Sequence, residues 1–168
     1  MFFVGTHELV IDAKNRMSIP VDLRATVNAD TEGRSFFVRP GRCRGTLELW
    51  PEKVFQRKWS EDPSSDYLSD EAFAWRQYEL ANTALVDPDN QGRVLIPEML
   101  LECVGLGKEV ALIGVYDHME LWNRQALAEY LAKHGSNYEQ NRARSVRESQ
   151  KFRQSNPAAA PIEPVSKQ

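Results

Sequence analysis

At 168 residues, 42% of them hydrophobic and 27% charged, the chain is long enough for one domain or two small ones whose core needs no staples. Its two cysteines, Cys43 and Cys103, lack the paired spacings of a disulfide framework or a zinc site, so no metal and no cofactor is expected. A net charge of −3 excludes a uniformly basic nucleic-acid-coating protein, but the charge is uneven: residues 1–46 carry +2, residues 47–138 carry −8 and residues 139–168 carry +3.

A β-prone run, Thr6 to Ile11, opens the chain and is followed by a polar turn and a short strand, Arg16 to Ile19. Pro20 suits the first helical position, because its missing N–H would have no partner there, and Asp22 favours the same helix end electrostatically. A helix is predicted from Pro20 to Val27. A strand pair follows, Phe36 to Arg39 with Thr46 to Trp50, then a helix from Pro51 to Trp59. Ser69 to Ala81 reads as a helix, with Ala72, Phe73, Tyr78 and Leu80 expected to be buried. The pattern then recurs: strand Thr83 to Val86, a polar turn, strand Arg93 to Ile96, and a helix from Pro97 to Val104 with Glu98 in its first turn and Gly105 as its stop. Strands Glu109 to Tyr116 and Met119 to Trp122 and a helix from Asn123 to His134 complete it. Asn141 to Arg153 is polar and basic, and Gln154 to Gln168 is rich in Pro, Ala and Ser; residues 139–168 are expected to be a disordered tail.

The recurrence is an internal repeat. Leu9 to Pro20 superposes on Val86 to Pro97 at an offset of 77, with Asp, Arg, Ile and Pro coinciding. Glu48-Leu49-Trp50 answers Glu120-Leu121-Trp122 at an offset of 72, so copy one holds five extra residues, expected near Asn28 to Gly33. Four parts are expected: a first module at 1–60, a helical connector at 61–82, a second module at 83–138 and the tail at 139–168. The fold class is mixed, β-rich α+β.

Each copy carries an Asp-x-x-x-Arg turn, Asp12 to Arg16 and Asp89 to Arg93. The aspartate side chain of such a turn accepts hydrogen bonds from backbone N–H groups two residues on. Its fourth residue is Asn15 in one copy and Gly92 in the other, the two types that best tolerate positive φ. Asp12, Asp89 and Gly92 are therefore the residues expected to shape the turns. Each arginine either pairs with its own aspartate or points outward. Lys14 and Arg16 stand two apart on an exposed edge, with Arg24 on the next helix expected near them. Such a group can hold phosphates or reach base edges in a major groove wide enough for a two-stranded ribbon. The plainer reading is a hairpin in which Asp and Arg only hold the turn.

Met1-Phe2-Phe3-Val4-Gly5 leading into Asp12-x-Lys14-x-Arg16-x-Ser18-Ile19-Pro20-x-x-Leu23-Arg24, together with the second Asp89-x-x-Gly92-Arg93 and the twin Glu-Leu-Trp strands, resembles the MraZ family over about residues 1–138. The resemblance implies duplicated AbrB/SpoVT-type modules, each a swapped-hairpin β-barrel with flanking helices. It implies a sequence-specific, double-stranded-DNA-binding transcriptional regulator, a repressor of the division and cell-wall gene cluster, that assembles into ring-like homo-oligomers on repeated promoter boxes. Its DNA contacts map onto Lys14, Asn15, Arg16, Arg24, Gln91 and Arg93. Three departures stand out: Asn15 replaces the usual glycine, Gln91 stands where copy one has Lys14, and Leu101 where it has Arg24. Copy one is therefore expected to dominate DNA binding.

Other classes fit less well. His7, His118 and His134 are dispersed, no Ser-His-Asp or Cys-His grouping is apparent, and Gly105-Leu106-Gly107-Lys108 is too short for a phosphate loop, so no enzyme is expected. An AbrB-type scaffold or antitoxin-like interaction module is the alternative, with Trp59 and Trp75 as contact residues and Trp50 and Trp122 in the core. No signal peptide or membrane span is apparent, so a cytoplasmic location is expected, and the DNA-binding role that the resemblance implies would make it nucleoid-associated.

Overall fold

A computed structural model describes residues 2–61 and 68–155. They fall into two compact units that divide between Leu127 and Ala128. The first unit contains eight strands: β1 (Thr6–Val10), β2 (Arg16–Ser18), β3 (Phe36–Pro40), β4 (Thr46–Pro51), β5 (Ala84–Val86), β6 (Arg93–Leu95), β7 (Glu109–Val115) and β8 (His118–Asn123). Its helices are α1 (Val21–Ala25), α2 (Ala29–Glu32), α3 (Glu52–Glu61), α4 (Asp70–Ala81), α5 (Glu98–Val104) and the start of α6 (Arg124–Gly135). Among the described residues, no helix is long and apolar enough to cross a membrane.

The strands make a six-stranded antiparallel sheet, β1-β7-β8-β4-β3-β5, and a two-stranded ribbon, β2-β6. The fold is thus mixed α+β, but the two sequence copies are not laid side by side. β1 of copy one pairs with β7 of copy two, and β5 of copy two pairs with β3 of copy one. At the centre of the sheet Glu48 lies opposite Glu120, and in the ribbon Met17 lies opposite Val94. These are the equivalents at offsets 72 and 77, so each copy meets the other at its own matching residue.

The interleaving follows from where the apolar side chains fall. In β2 and β6 only the middle residues, Met17 and Val94, point inward, and both are buried. They join Phe3, Ile11, Ile19, Leu47, Leu49, Ile96, Leu112 and Leu121 in one core drawn from both copies. Truncating such a side chain to alanine costs about 2–5 kcal/mol, so neither copy retains this core without the other. Trp50 packs on Val54 and Phe55 of α3, and Trp122 on Leu127 of α6, which explains the paired Glu-Leu-Trp strands as helix platforms.

Pro20 and Pro97 stand one residue before α1 and α5, at the cap rather than inside the helix, and Gly105 closes α5 in the left-handed conformation (φ +68°). The extra residues of copy one form α2, capped by the Asn28 side chain on the Asp30 N–H at 2.9 Å.

Two expectations are corrected. Ala72, Phe73, Tyr78 and Leu80 of α4 are all exposed. At about 100° per residue the four do not share one face: Phe73 and Leu80 fall together, while Tyr78 lies on the far side, where it stacks on Trp75 and its hydroxyl comes within 3.6 Å of Cys103 Sγ of α5. Residues 139–155, expected to be disordered, lie in the second unit's helix α7 (Tyr138–Ser155). This stretch cannot build a core, yet it holds no Gly or Pro, and Arg144 pairs with Glu148 one turn on at 2.9 Å. The rest of the expected tail, residues 156–168, lies outside the described residues.

Candidate nucleic-acid interface

The two Asp-x-x-x-Arg turns are built alike, bond for bond. Oδ1 of Asp12 accepts the backbone N–H of Lys14 (2.8 Å) and of Arg16 (2.9 Å), while Oδ2 accepts Nε of Arg16 (2.9 Å) and pairs with its Nη2 (2.8 Å). Oδ1 of Asp89 accepts the N–H of Gln91 (2.8 Å) and of Arg93 (3.0 Å), and Oδ2 takes Nε (2.8 Å) and Nη2 (2.7 Å) of Arg93. The Asp12 N–H donates to the Arg16 carbonyl and the Asp89 N–H to the Arg93 carbonyl. The fourth residue has positive φ in both, +58° at Asn15 and +75° at Gly92.

So each arginine pairs with its own aspartate, and this does not consume it. Nε and one edge of the guanidinium are held, and its remaining N–H donors stay free for a ligand. The backbone N–H of the following arginine foremost, with that arginine's side chain and the N–H two residues on, pulls both carboxyls down from 3.8 to about 2 and outweighs the opposing effect of desolvation. Both aspartates are therefore charged at any physiological pH, and the arginines are held in one orientation.

The turns are joined to each other. Through β2 and β6, Arg16 lies opposite Leu95 and Arg93 opposite Ser18, so both arginines stand on the outer face of the ribbon while Met17 and Val94 fill its inner face. Such diagonal neighbours are roughly 7–8 Å apart. The Ile19 N–H donates to the Gly92 carbonyl (3.0 Å) and the Ile96 N–H to the Asn15 carbonyl (2.9 Å). The exposed side chains of Lys14 and Gln91 flank the arginines, one on each turn.

Arg24 does not join Lys14 and Arg16 as expected. Its Nε donates to the Ile19 carbonyl (3.0 Å), and its guanidinium lies over Gly92 of the second turn. The first turn receives Lys108 instead, whose Nζ donates to Asn15 Oδ1 (2.8 Å) and to the Asp12 carbonyl (3.2 Å). Each turn thus takes one cation from the opposite copy, so the two differ in charge by Lys14 against Gln91 alone and not also by Arg24. In the sequence Lys108 stands out only as the end of the Gly105–Lys108 run that is too short for a phosphate loop. Its position 93 residues from Asn15 leaves no local signal.

A second cluster lies apart from the turns. A cavity of about 470 Å³ is lined by Arg39, Glu48, Trp50, Trp75, Tyr78 and His118, among others. His118 stacks on Trp50 with ring centroids 4.1 Å apart, and its Nδ1 is 2.8 Å from Asp117. Burial alone would push the imidazole down, but Glu120, Asp117 and the charge of Glu48 outweigh it and hold the imidazole above its ordinary 6.5. Among the described residues, Glu48, His118 and Glu120 bring metal-type donor atoms within 4.8 Å of one another. The oxygens of Glu48 already serve Arg39, the Arg42 N–H and Trp50 Nε1, and Glu120 serves Trp122 Nε1. This is a satisfied ion-pair network, and among the described residues no Ser, Thr or Cys nucleophile lines the cavity.

A family model described as "MraZ protein, putative antitoxin-like" matches residues 2–74 and 80–148. The chain is 37% identical over 135 residues to the Transcriptional regulator MraZ of Burkholderia vietnamiensis (strain G4 / LMG 22486), covering 78% of this chain and 87% of that protein. The figures are the same for its namesake in Burkholderia multivorans (strain ATCC 17616 / 249). Against the namesake of Burkholderia cenocepacia they are 37% over 127 residues, 73% and 83%. These relatives bear the name of a regulator and not of an enzyme, in line with the sequence reading. The match of the family model across both halves shows that this chain belongs to the MraZ family.

Proposed function

We propose that the protein is a sequence-specific DNA-binding transcriptional regulator that inserts the β2–β6 ribbon into a major groove, with Arg16 and Arg93 as its reading side chains. The observation that carries this is the paired geometry of the turns: two guanidinium groups on one outer face, each fixed by an aspartate that is ionised down to about pH 2. A guanidinium whose orientation is set beforehand loses less entropy when it forms bidentate bonds to guanine or phosphate. Lys14, Lys108 and Arg24 add positive charge, while Asn15 and Gln91 offer amide groups at the turn tips. The regulator name of the relatives supports the same reading.

The interleaved strands are read as the AbrB-type swapped-hairpin barrel, here completed within one chain. One ribbon offers few charges, so affinity depends on several ribbons acting together, each added contact being intramolecular. We therefore read the active form as a ring-like homo-oligomer on repeated promoter boxes, repressing the division and cell-wall cluster from the nucleoid in the cytoplasm. Exposed Phe2, Val4 and Tyr116 at one sheet edge, and Phe73, Trp75, Tyr78 and Leu80 on α4, are apolar surface that such contacts would cover. A footprint on the DNA upstream of the protein's own gene tests this. Protection of regularly spaced repeats is expected; protection indifferent to sequence refutes it.

A further inference from the structure

We infer that α7 is a second, sequence-independent DNA contact, an arm whose Arg144, Arg147 and Lys151 meet backbone phosphates. The ligand class rests on the DNA-binding reading above; the site rests on α7 alone. This 18-residue helix holds five Lys/Arg and two Glu within a chain of net charge −3. At about 100° per residue, Arg144, Arg147 and Lys151 fall within one stripe roughly 60° wide. All three are exposed.

These cations are poorly compensated. Arg144 pairs with Glu148, but both side chains are mostly in solvent, at 81% and 64% exposure, and such a pair yields readily to a competing anion. Among the described residues, neither Arg147 nor Lys151 has an acidic partner. Duplex DNA presents one negative charge per about 1.7 Å of axis, dense enough for every cation of the stripe to find a phosphate and release counterions. An anionic lipid surface is the less favoured ligand. Large apolar side chains on α7 are confined to Tyr138, Val146 and Phe152, too few over its length for a continuous face that sinks into acyl chains.

The test compares the full chain with its Arg144→Gln/Arg147→Gln/Lys151→Gln variant on a duplex of about 40 base pairs without promoter sequence, across a salt series. The variant is expected to lose affinity at least about tenfold near 100 mM salt, and its plot of log K against log salt should flatten by about 2–3 for each arm bound. An Arg144→Lys/Arg147→Lys/Lys151→Arg variant, which keeps the charge, should retain both values; its failing like the glutamine variant would overturn the proposal by tracing the loss to helix structure. Unchanged affinity and slope in the glutamine variant would also overturn it. So would loss of binding to phosphatidylserine vesicles with the DNA slope unaltered, which would assign the stripe to lipid. A chain that binds the random duplex through the stripe, yet shows no preference for promoter repeats, keeps this inference and defeats the sequence-specific reading, so the two fail separately.

Discussion

The guanidinium of Arg24 occupies the space that a side chain on Gly92 would need: a Cβ there would sit 2.2 Å from Arg24 Cζ. A residue of the first copy thus closes over the turn of the second. Gly92→Ala meets both this clash and a φ of +75°, and is expected to cost about 1–3 kcal/mol in urea unfolding. Adding Arg24→Ala should recover the part due to the clash, giving a coupling above about 0.5 kcal/mol in a double-mutant cycle. Strictly additive effects would show that the two residues do not touch.

Lys108 plays the corresponding part at the first turn, pinning its tip through Asn15 Oδ1 and the Asp12 carbonyl. Lys108→Ala removes two hydrogen bonds at an exposed site, so the fold should survive. Affinity for promoter DNA is expected to fall about three- to tenfold, near the 1.4 kcal/mol that a tenfold change represents. Titration by fluorescence anisotropy reads this directly, and full affinity in the variant would remove Lys108 from the interface.

Acid should loosen the turns within a defined range. Asp12 and Asp89 titrate at about 2 in the folded chain against an ordinary 3.8, held down first by the following arginine's backbone N–H. A depressed carboxylate contributes stability that is complete above its unfolded value and is lost as pH falls through the folded one. The Asp12→Asn/Asp89→Asn variant should therefore be less stable than the parent at pH 7, with the difference shrinking between about pH 4 and pH 2. A gap that stays constant down to pH 2 would contradict the hydrogen bonds described for these carboxylates.

Much of the site was legible because it is local. Asp at the first position, Asn or Gly at the fourth and Arg at the fifth specify a turn through bonds that span four residues at most, and both turns form those bonds. The offsets of 77 and 72 likewise located equivalent strands. Nothing local told that the copies interleave, since β1 pairs with a strand about a hundred residues away. That arrangement sends Arg24 to the far turn and brings Lys108 to the near one. For α4, the apolar residues fall all round the helix and specify no single inward face, so Phe73 and Tyr78, expected inside, lie exposed. For α7, polar composition rules out a core, not a solvated helix.

The central claim is that a guanidinium fixed by its turn aspartate reads the promoter, and Arg16→Ala tests it most directly. Binding of the full-length variant to the duplex upstream of its own gene is to be titrated beside a scrambled duplex, with oligomer size measured in the same buffer. The account predicts at least about a tenfold loss on the promoter, as expected for removing a bidentate base contact, with little change on the scrambled duplex and none in oligomer size. Wild-type promoter affinity and preference in the Arg16→Ala protein would contradict it.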